Sequence, residues 1–459
     1  MTRPLEIAVV GAGWAGLAAA VHASLAGAHV TLFEMAPAAG GRARDVVSHG
    51  SLLDNGQHLC IGAYVETLRV LREVGVDEKT AFARSPLTLV DAEGRGLRLR
   101  PGAPLPAFVR AVLARRGWPW RARLALLRVA ARWRRSGFRC APGDTVADLA
   151  ASLPDAVRRD FIEPICVAAL NTPASEASGS VFLRVLHDAL AGSAGGADLL
   201  LPRRPLGDVF PAPAQAWLAR RGATIRLAQR VERLDRVASG EPDAGAGRPD
   251  PGKRADRAEG FDRVGCAWNV DGVHADRVII AASAVEAARL AAPHAPEWAA
   301  TAAALHYEPI ATVYARSTGC RLPEPLLALR CDAVRPAQFV VDRGQLGGPA
   351  GLLALVISGA AAWVERGTAA IEAATLAQAS SALGRHLGAP LELVRTVIEK
   401  RATFSCTPAL VRPPLPVAPG LFACGDYIDG PYPATLEGAV RSGIAAARAA
   451  TRQSGENSP

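Results

Sequence analysis

The chain has 459 residues, 50% of them apolar, and a formal charge of +9. That length allows two domains, or one large α/β domain with an insertion, and the apolar content allows a large core. Every basic residue except Lys79, Lys253 and Lys400 is arginine; with the Ala, Gly and Pro excess this reads as nucleotide-level bias as much as function, and without a DNA-binding motif no nucleic-acid partner is expected.

In chain order the first elements are a strand at 7–10, a glycine turn at 11–16, a helix over about 15–26 and a strand at 30–34. Residues 7–33 lack Asp, Glu, Lys and Arg, a length that invites a membrane span or a signal peptide. Their glycines, two histidines and strand-like start fit a buried βαβ unit better. The stretch 52–68, LLDNGQHLCIGAYVETL, then sets Asp54, Asn55, Gln57 and His58 among apolar residues ahead of an amphipathic helix.

Residues 85–203 are rich in Pro and Arg and read as helical, a different unit. Within them, 103–140 carries ten Arg, three Trp and no acid. Leu124, Leu127 and Ala131 recur at helical spacing, which with interfacial Trp is the pattern of a monotopic membrane contact; the plainer reading is a solvated basic face. Residues 222–237 read as two short strands. The Gly-, Pro-, Asp- and Arg-rich 238–262 reads as a mobile hairpin tip. Strands resume at AWNVDG and ADRVIIAAS, and 291–395 forms a second block of mixed helix and strand. GLFACGDYI is a strand ending at Gly425-Asp426, TLEGAVRSGIAAARAA a final helix, and 451–459 a disordered tail. The expected organisation is a discontinuous nucleotide-binding domain (1–84, 204–290, 396–450) and a second domain (85–203, 291–395). The eight cysteines form no CxxC pair and no zinc-spaced cluster, so free thiols and no metal site are expected.

Gly11-Ala12-Gly13-Trp14-Ala15-Gly16 is GxGxxG between a strand and a helix, with Glu34 ending the next strand 18 residues past Gly16. Gly11 permits the tight turn, Gly13 the approach of a pyrophosphate, and Gly16 close helix–strand packing. The helix N-terminus offers N–H groups to phosphates, and Glu34 suits ribose hydroxyls. AAGGRAR at 38–44 adds backbone N–H groups and Arg42 to the same place, which favours FAD over NAD. Asp426 suits a ribityl or pyrophosphate-side hydrogen bond. The helix starting near Thr435 can turn its N-terminus to the N1/O2 edge of a flavin, and Gly438 and Gly443 permit close packing there.

These motifs together resemble the amine oxidase/phytoene desaturase superfamily of flavoproteins. LDNGQHLCIGAY and EKRATFSCTP at 399–408 more narrowly resemble the hydroxysqualene dehydroxylases, also called squalene-associated FAD-dependent desaturases, of hopanoid synthesis. The resemblance implies an α/β fold: a glutathione-reductase-like, Rossmann-type FAD domain with an inserted α+β substrate domain. It implies that Trp14, Ala15, Gly40, Gly41, Val231, Gly425, Thr435 and Leu436 join Gly11, Gly13, Gly16, Glu34, Arg42 and Asp426 in holding FAD. It also implies that the 52–68 segment runs beside the flavin and lines the substrate cavity, and that the reaction is reduction of hydroxysqualene to squalene.

Loss of the allylic hydroxyl needs a proton donor in a dry pocket. His58 can donate near neutral pH, and Asp54 can orient it or act itself with a raised pKa. The plainer alternative is that Asp54 and Asn55 cap the turn and His58 is a satisfied core histidine. Tyr427, Asp429 and Tyr432 are rival donors, and Phe404 packs against the ring. Other readings are a carotenoid desaturase, an amine oxidase (although no aromatic pair for an amine cage stands out) and a non-catalytic lipid binder of the GDP-dissociation-inhibitor type. No second GxGxxG occurs, so no nicotinamide domain is implied and the electron donor is unidentified. The expected partner is an isoprenoid substrate, and the expected location is cytoplasmic, peripheral on the inner face of the cell membrane through 103–140.

Overall fold

The computed structural model describes residues 3–48, 50–192, 194–237 and 267–452. The expected hairpin tip at 238–262 and the tail from 453 lie outside the described residues.

Strand β1 (Glu6–Val10), helix α1 (Trp14–Leu25) and strand β2 (His29–Phe33) form the opening unit. A hairpin follows, β3 (Asp45–Ser48) and β4 (Ser51–Asp54), and then α2 (Val65–Glu73). The Arg-rich stretch forms α3 (Pro104–Ala114) and α4 (Trp120–Arg135). Farther on come β5 (Thr224–Arg226), β6 (Arg277–Ile280), β7 (Tyr307–Arg316), β8 (Leu352–Ile357), β9 (Glu392–Phe404), β10 (Leu421–Ala423) and α5 (Leu436–Thr451).

One sheet has the order β5–β2–β1–β6–β10, all parallel, with Pro416–Ala418 added antiparallel at the edge. Its central strand explains its own sequence. Ile7 and Val9 face α1 and α5, while Ala8 and Val10 face a second cluster containing Trp268 and the helical unit. A parallel strand covered on both faces is a continuous apolar run rather than an alternating one. Helices α1 and α5 touch closely enough that a Cβ on Gly443 would lie 2.2 Å from the Ala15 carbonyl oxygen.

The other large sheet is antiparallel: Leu326–Ala328, Phe339–Asp342, β8, β7 and β9. Strand β9 pairs with β7 from Glu392 to Phe404 without changing sheet. The expected boundary at 396 therefore falls inside one strand, which runs from the antiparallel sheet to Ala402, whose carbonyl accepts from Arg42.

The Arg-rich stretch differs from its sequence reading. The face of α4 that packs inward is Ala122, Leu126, Val129 and Trp133, whereas Leu124 is exposed. Trp118 is also buried, its indole N–H donating to Asp160 at 3.2 Å. The 4-3-4 spacing of that inward face matches an amphipathic helix lying on a core, so most of the apolar content serves packing. What stays outside is Trp120, 62% exposed, together with Leu124 and Leu113. No helix among the described residues is long and apolar enough to cross a membrane.

Candidate active site

The two glycine turns meet. Gly11 has φ +111°, and a Cβ there would come within 2.6 Å of the Ala281 carbonyl oxygen. At Gly16 a Cβ would stand 1.9 Å from the Gly11 oxygen, so α1 starts hard against its own turn. Gly13 caps α1 without any side-chain bond, which leaves the first-turn N–H groups for an anion. Gly40 donates its N–H to the Ala12 carbonyl at 2.9 Å and bridges to Gly13, bringing the Gly40–Gly41–Arg42 turn alongside.

Glu34 is buried, and its two carboxylate oxygens accept the N–H groups of Ala12 and Ala36, each at 2.8 Å. It is thereby fixed at the end of β2, beside the first turn, where a ribose would lie. Trp14 packs on Phe210 with ring centroids 5.0 Å apart and is a wall of the core. Arg42 donates to the Ala402 carbonyl at 2.7 Å and pairs with Asp426, so the two residues read separately from sequence form one unit. Burial works against the Arg42 charge, but Asp426 outweighs it and raises the pKa. The Val231 carbonyl accepts from Arg289 at 2.8 Å. Thr435 caps α5 by accepting the Gly438 N–H at 2.9 Å, and α5 opens at Leu436. A side-chain-free helix start, a pinned acid, a second glycine turn and an Arg–Asp pair together fit FAD.

The polar segment divides into two kinds of residue. Asn55 is architecture: its amide donates to the Arg42 carbonyl at 3.2 Å and to Glu399 at 3.0 Å. Asp54 is a clamp, accepting from the Gly56 N–H at 3.0 Å, the His58 N–H at 2.6 Å and His58 Nδ1 at 2.7 Å. Its backbone carbonyl accepts the hydroxyl of fully buried Tyr314 at 2.7 Å. Burial alone would raise the Asp54 pKa, but the His58 charge and the three hydrogen bonds outweigh it and the pKa is lowered. Burial likewise opposes the charge on His58, and the Asp54 carboxylate overcomes it, so the His58 pKa is raised. The Asp54 pKa is thus lowered rather than raised, and the contact with Nδ1 fixes the His58 ring and favours its charged form. Gln57, buried with φ +52°, has no hydrogen-bond partner for either amide atom among the described residues.

Of the rival donors, Asp429 is exposed and pairs with Arg412 at 3.2 Å. Tyr432 accepts from Arg184 at 3.3 Å and lies under the guanidinium groups of Arg184 and Arg441. Tyr427 is fully buried with an unpartnered hydroxyl. Phe404 is buried beside Tyr307 in the β7–β9 pair and lines a cavity with Cys406 and Leu410. Three residues that matter to the site were not singled out individually from the sequence: Tyr314, described above, and Glu399 and Glu437, which lie inside the EKRATFSCTP and TLEGAVRSG stretches. The last is fully buried in the first turn of α5 and accepts the N–H groups of Glu66 and Thr67 at 3.1 and 2.9 Å, tying α2 to α5. An acid within an otherwise Ala- and Gly-rich helix was the one clue to it. Among the described residues no group of His, Cys, Asp and Glu is arranged to hold a metal ion.

Comparison with known proteins agrees with this geometry. The family described as flavin containing amine oxidoreductase matches residues 14–451. A hydroxysqualene dehydroxylase from Sinorhizobium fredii is 28% identical over 244 residues, covering 51% of this chain and 56% of that protein. One from Rhodopseudomonas palustris is 25% identical over 96% of both chains. The chain thus spans about half the length of the first relative and nearly all of the second. An oxidoreductase structure from Methanosarcina mazei superposes with a TM-score of 0.67 at 16% identity, covering 96% of this chain and 99% of that one, a likeness of fold. The chain belongs to the flavin-containing amine oxidoreductase family and is an FAD-dependent oxidoreductase.

Proposed function

We propose that the protein reduces hydroxysqualene to squalene. The observation that carries this reading is the Asp54–His58 pair: a histidine whose Nδ1 lies 2.7 Å from a carboxylate that raises its pKa, 28% exposed at its side chain, in the segment that runs from the Arg42 turn to α5. FAD, when bound in its reduced form, supplies a hydride. His58 would give its proton to the allylic hydroxyl, so that the C–O bond breaks and water leaves, and the cationic carbon would need the hydride that reduced FAD would supply. Alcohol, proton and hydride thus balance to hydrocarbon and water. Asp54 would hold the His58 ring in place and favour its charged form.

The relatives named hydroxysqualene dehydroxylase support the substrate class. A desaturase substrate has no hydroxyl to protonate, so the Asp54–His58 pair would have no such task there. Docking at a lipid surface, through Trp120, Leu124 and Leu113 amid arginines, belongs to the same reading because the substrate is a long hydrocarbon. The test is anaerobic. Chemically reduced protein is mixed with hydroxysqualene, and flavin reoxidation is followed together with squalene formation. Reoxidation without squalene, or no reoxidation, sinks the proposal.

A further inference from the structure

Gln57 sits two residues from Asn55 and one from His58, yet it shares none of their bonds. Both of its amide atoms are buried and without a partner, and the residue is only 6% exposed. Leaving a buried donor and acceptor unmet destabilises the fold. Its backbone adds to this, since φ +52° puts a β-carbon residue in the left-handed region. Such a residue persists where something else determines it. Among the described residues neither amide atom has a partner: Asp54 accepts from Gly56 and His58, and Asn55 donates to the Arg42 carbonyl and Glu399.

The segment's two ends say where it runs. Asn55 is tied to the carbonyl of Arg42, in the turn that holds the pyrophosphate. Glu66 and Thr67, at the start of α2, are tied to Glu437 in the first turn of α5, the helix start suited to the flavin N1/O2 edge. Gln57 lies between these anchors along the chain, and so along the flavin ring. A carboxamide presents one donor and one acceptor side by side. The ring edge of a flavin presents the complement, the C4 carbonyl as acceptor and the adjacent N3–H as donor.

We propose that the Gln57 side chain pairs with this C4=O/N3–H edge: Nε2 donates to the carbonyl, and Oε1 accepts from N3–H. The unmet amide is then met only in the holoenzyme, and the ring is held in one orientation with His58 next along the chain. Electron density rises at the C4 carbonyl when the ring is reduced, so the Nε2–H bond also favours the reduced state. The inference rests on FAD binding and not on the identity of the substrate.

The test uses the full chain reconstituted with FAD or with FAD methylated at ring N3, in wild type, Gln57→Leu and Gln57→Glu. Binding is read by quenching of flavin fluorescence, and the flavin midpoint potential is measured alongside. Wild type is expected to prefer FAD over the methylated form by about tenfold, the worth of one to two buried hydrogen bonds. Gln57→Leu is expected to lose that preference, to bind FAD more weakly by a similar factor, and to lower the potential. Gln57→Glu, which keeps an acceptor but loses the donor, is expected to retain part of the N3 preference with a lowered potential, and it serves if the Leu variant does not fold. If the variants keep the wild-type affinity, N3 preference and potential, the amide faces the substrate or nothing, and the proposal is overturned. Wild-type protein that binds neither flavin would refute the FAD assignment itself, a separate result.

Discussion

Replacing Asp54 by Asn keeps the size of the side chain and removes its charge. The native carboxylate accepts three hydrogen bonds, from the Gly56 and His58 N–H groups and from His58 Nδ1 at 2.7 Å. The Asn oxygen can retain the turn, but its NH₂ group then faces Nδ1, which must become an acceptor. His58 is thereby driven to the neutral tautomer with its proton on Nε2. Burial already opposes the imidazolium and Arg42 repels it; without Asp54 only Glu399 favours it. The acid is withdrawn at neutral pH, and hydroxyl loss should slow by about 10²–10⁴. Because the cofactor is held by other residues, flavin content should not change.

The assay is single-turnover reoxidation of reduced enzyme by hydroxysqualene, from about pH 5.5 to 9 to span the histidine range. In wild type the rate should hold through the ordinary histidine pKa and fall at higher pH, since the His58 pKa is raised. In the variant the fall should come at lower pH, with partial recovery on acidification. The pair also links pH to stability. The His58 contribution is complete below about pH 6.5, its unfolded value, and is lost as pH rises through the folded one. The Asp54 contribution is complete above about pH 3.9 and is lost as pH falls through its lowered folded value. A variant with the wild-type rate and profile would refute an acid role for His58 and return the cluster to architecture.

Gly16→Ala places a Cβ 1.9 Å from the Gly11 oxygen, so the protein should purify colourless, and full flavin content would contradict the site. Trp120→Ser with Leu124→Ser should shift the protein from sedimenting anionic vesicles to the supernatant without altering the flavin spectrum, and high salt should do the same to wild type. Trp118→Ser, in contrast, should destabilise the fold by about 3–5 kcal/mol, as expected for a buried Trp, measured by urea unfolding; equal partitioning of all these proteins would assign the face to solvent. Glu437→Gln should lower stability by about 1–3 kcal/mol and speed FAD loss, because α2 and the start of α5 are no longer held together, and unchanged FAD retention would separate that tie from the cofactor.

What could be read from the sequence was local. GxGxxG, Glu34 and GGR are each short, and their chemistry depends on neighbours a few residues away, so their spacing was enough to place them. The sequence marked Leu124, Leu127 and Ala131 on α4 but not its inward face, Ala122, Leu126, Val129 and Trp133; only the core can decide which of two apolar stripes is buried. The partners of the polar cluster could not be read at all. Tyr314 reaches Asp54 across 260 positions and Glu399 reaches Asn55 across 344; the EKRATFSCTP motif marks the strand of Glu399 but not its partner, and nothing marks Tyr314.

Those long-range partners are also what separates chemistry from architecture inside DNGQH. From the sequence, Asp54, Asn55, Gln57 and His58 form one polar cluster in which only His58 and Asp54 carry a chemical role. Once Tyr314, Glu399 and the Arg42 carbonyl are assigned, Asn55 is spent on the fold. Asp54 is spent on His58 and its turn. Among the described residues the outer nitrogen of His58 and the whole amide of Gln57 keep unused capacity. A segment that fixes its first residues so firmly holds its last two in a set orientation, and an acid and a ring-edge partner both need that more than mobility. The Asp54→Asn and Gln57→Leu variants therefore address different halves of one device. The first should alter rate and pH profile with flavin content unchanged, and the second flavin affinity and potential with the His58 profile unchanged. If each variant moved both sets of readouts, the segment would be acting through its backbone and not through these two side chains.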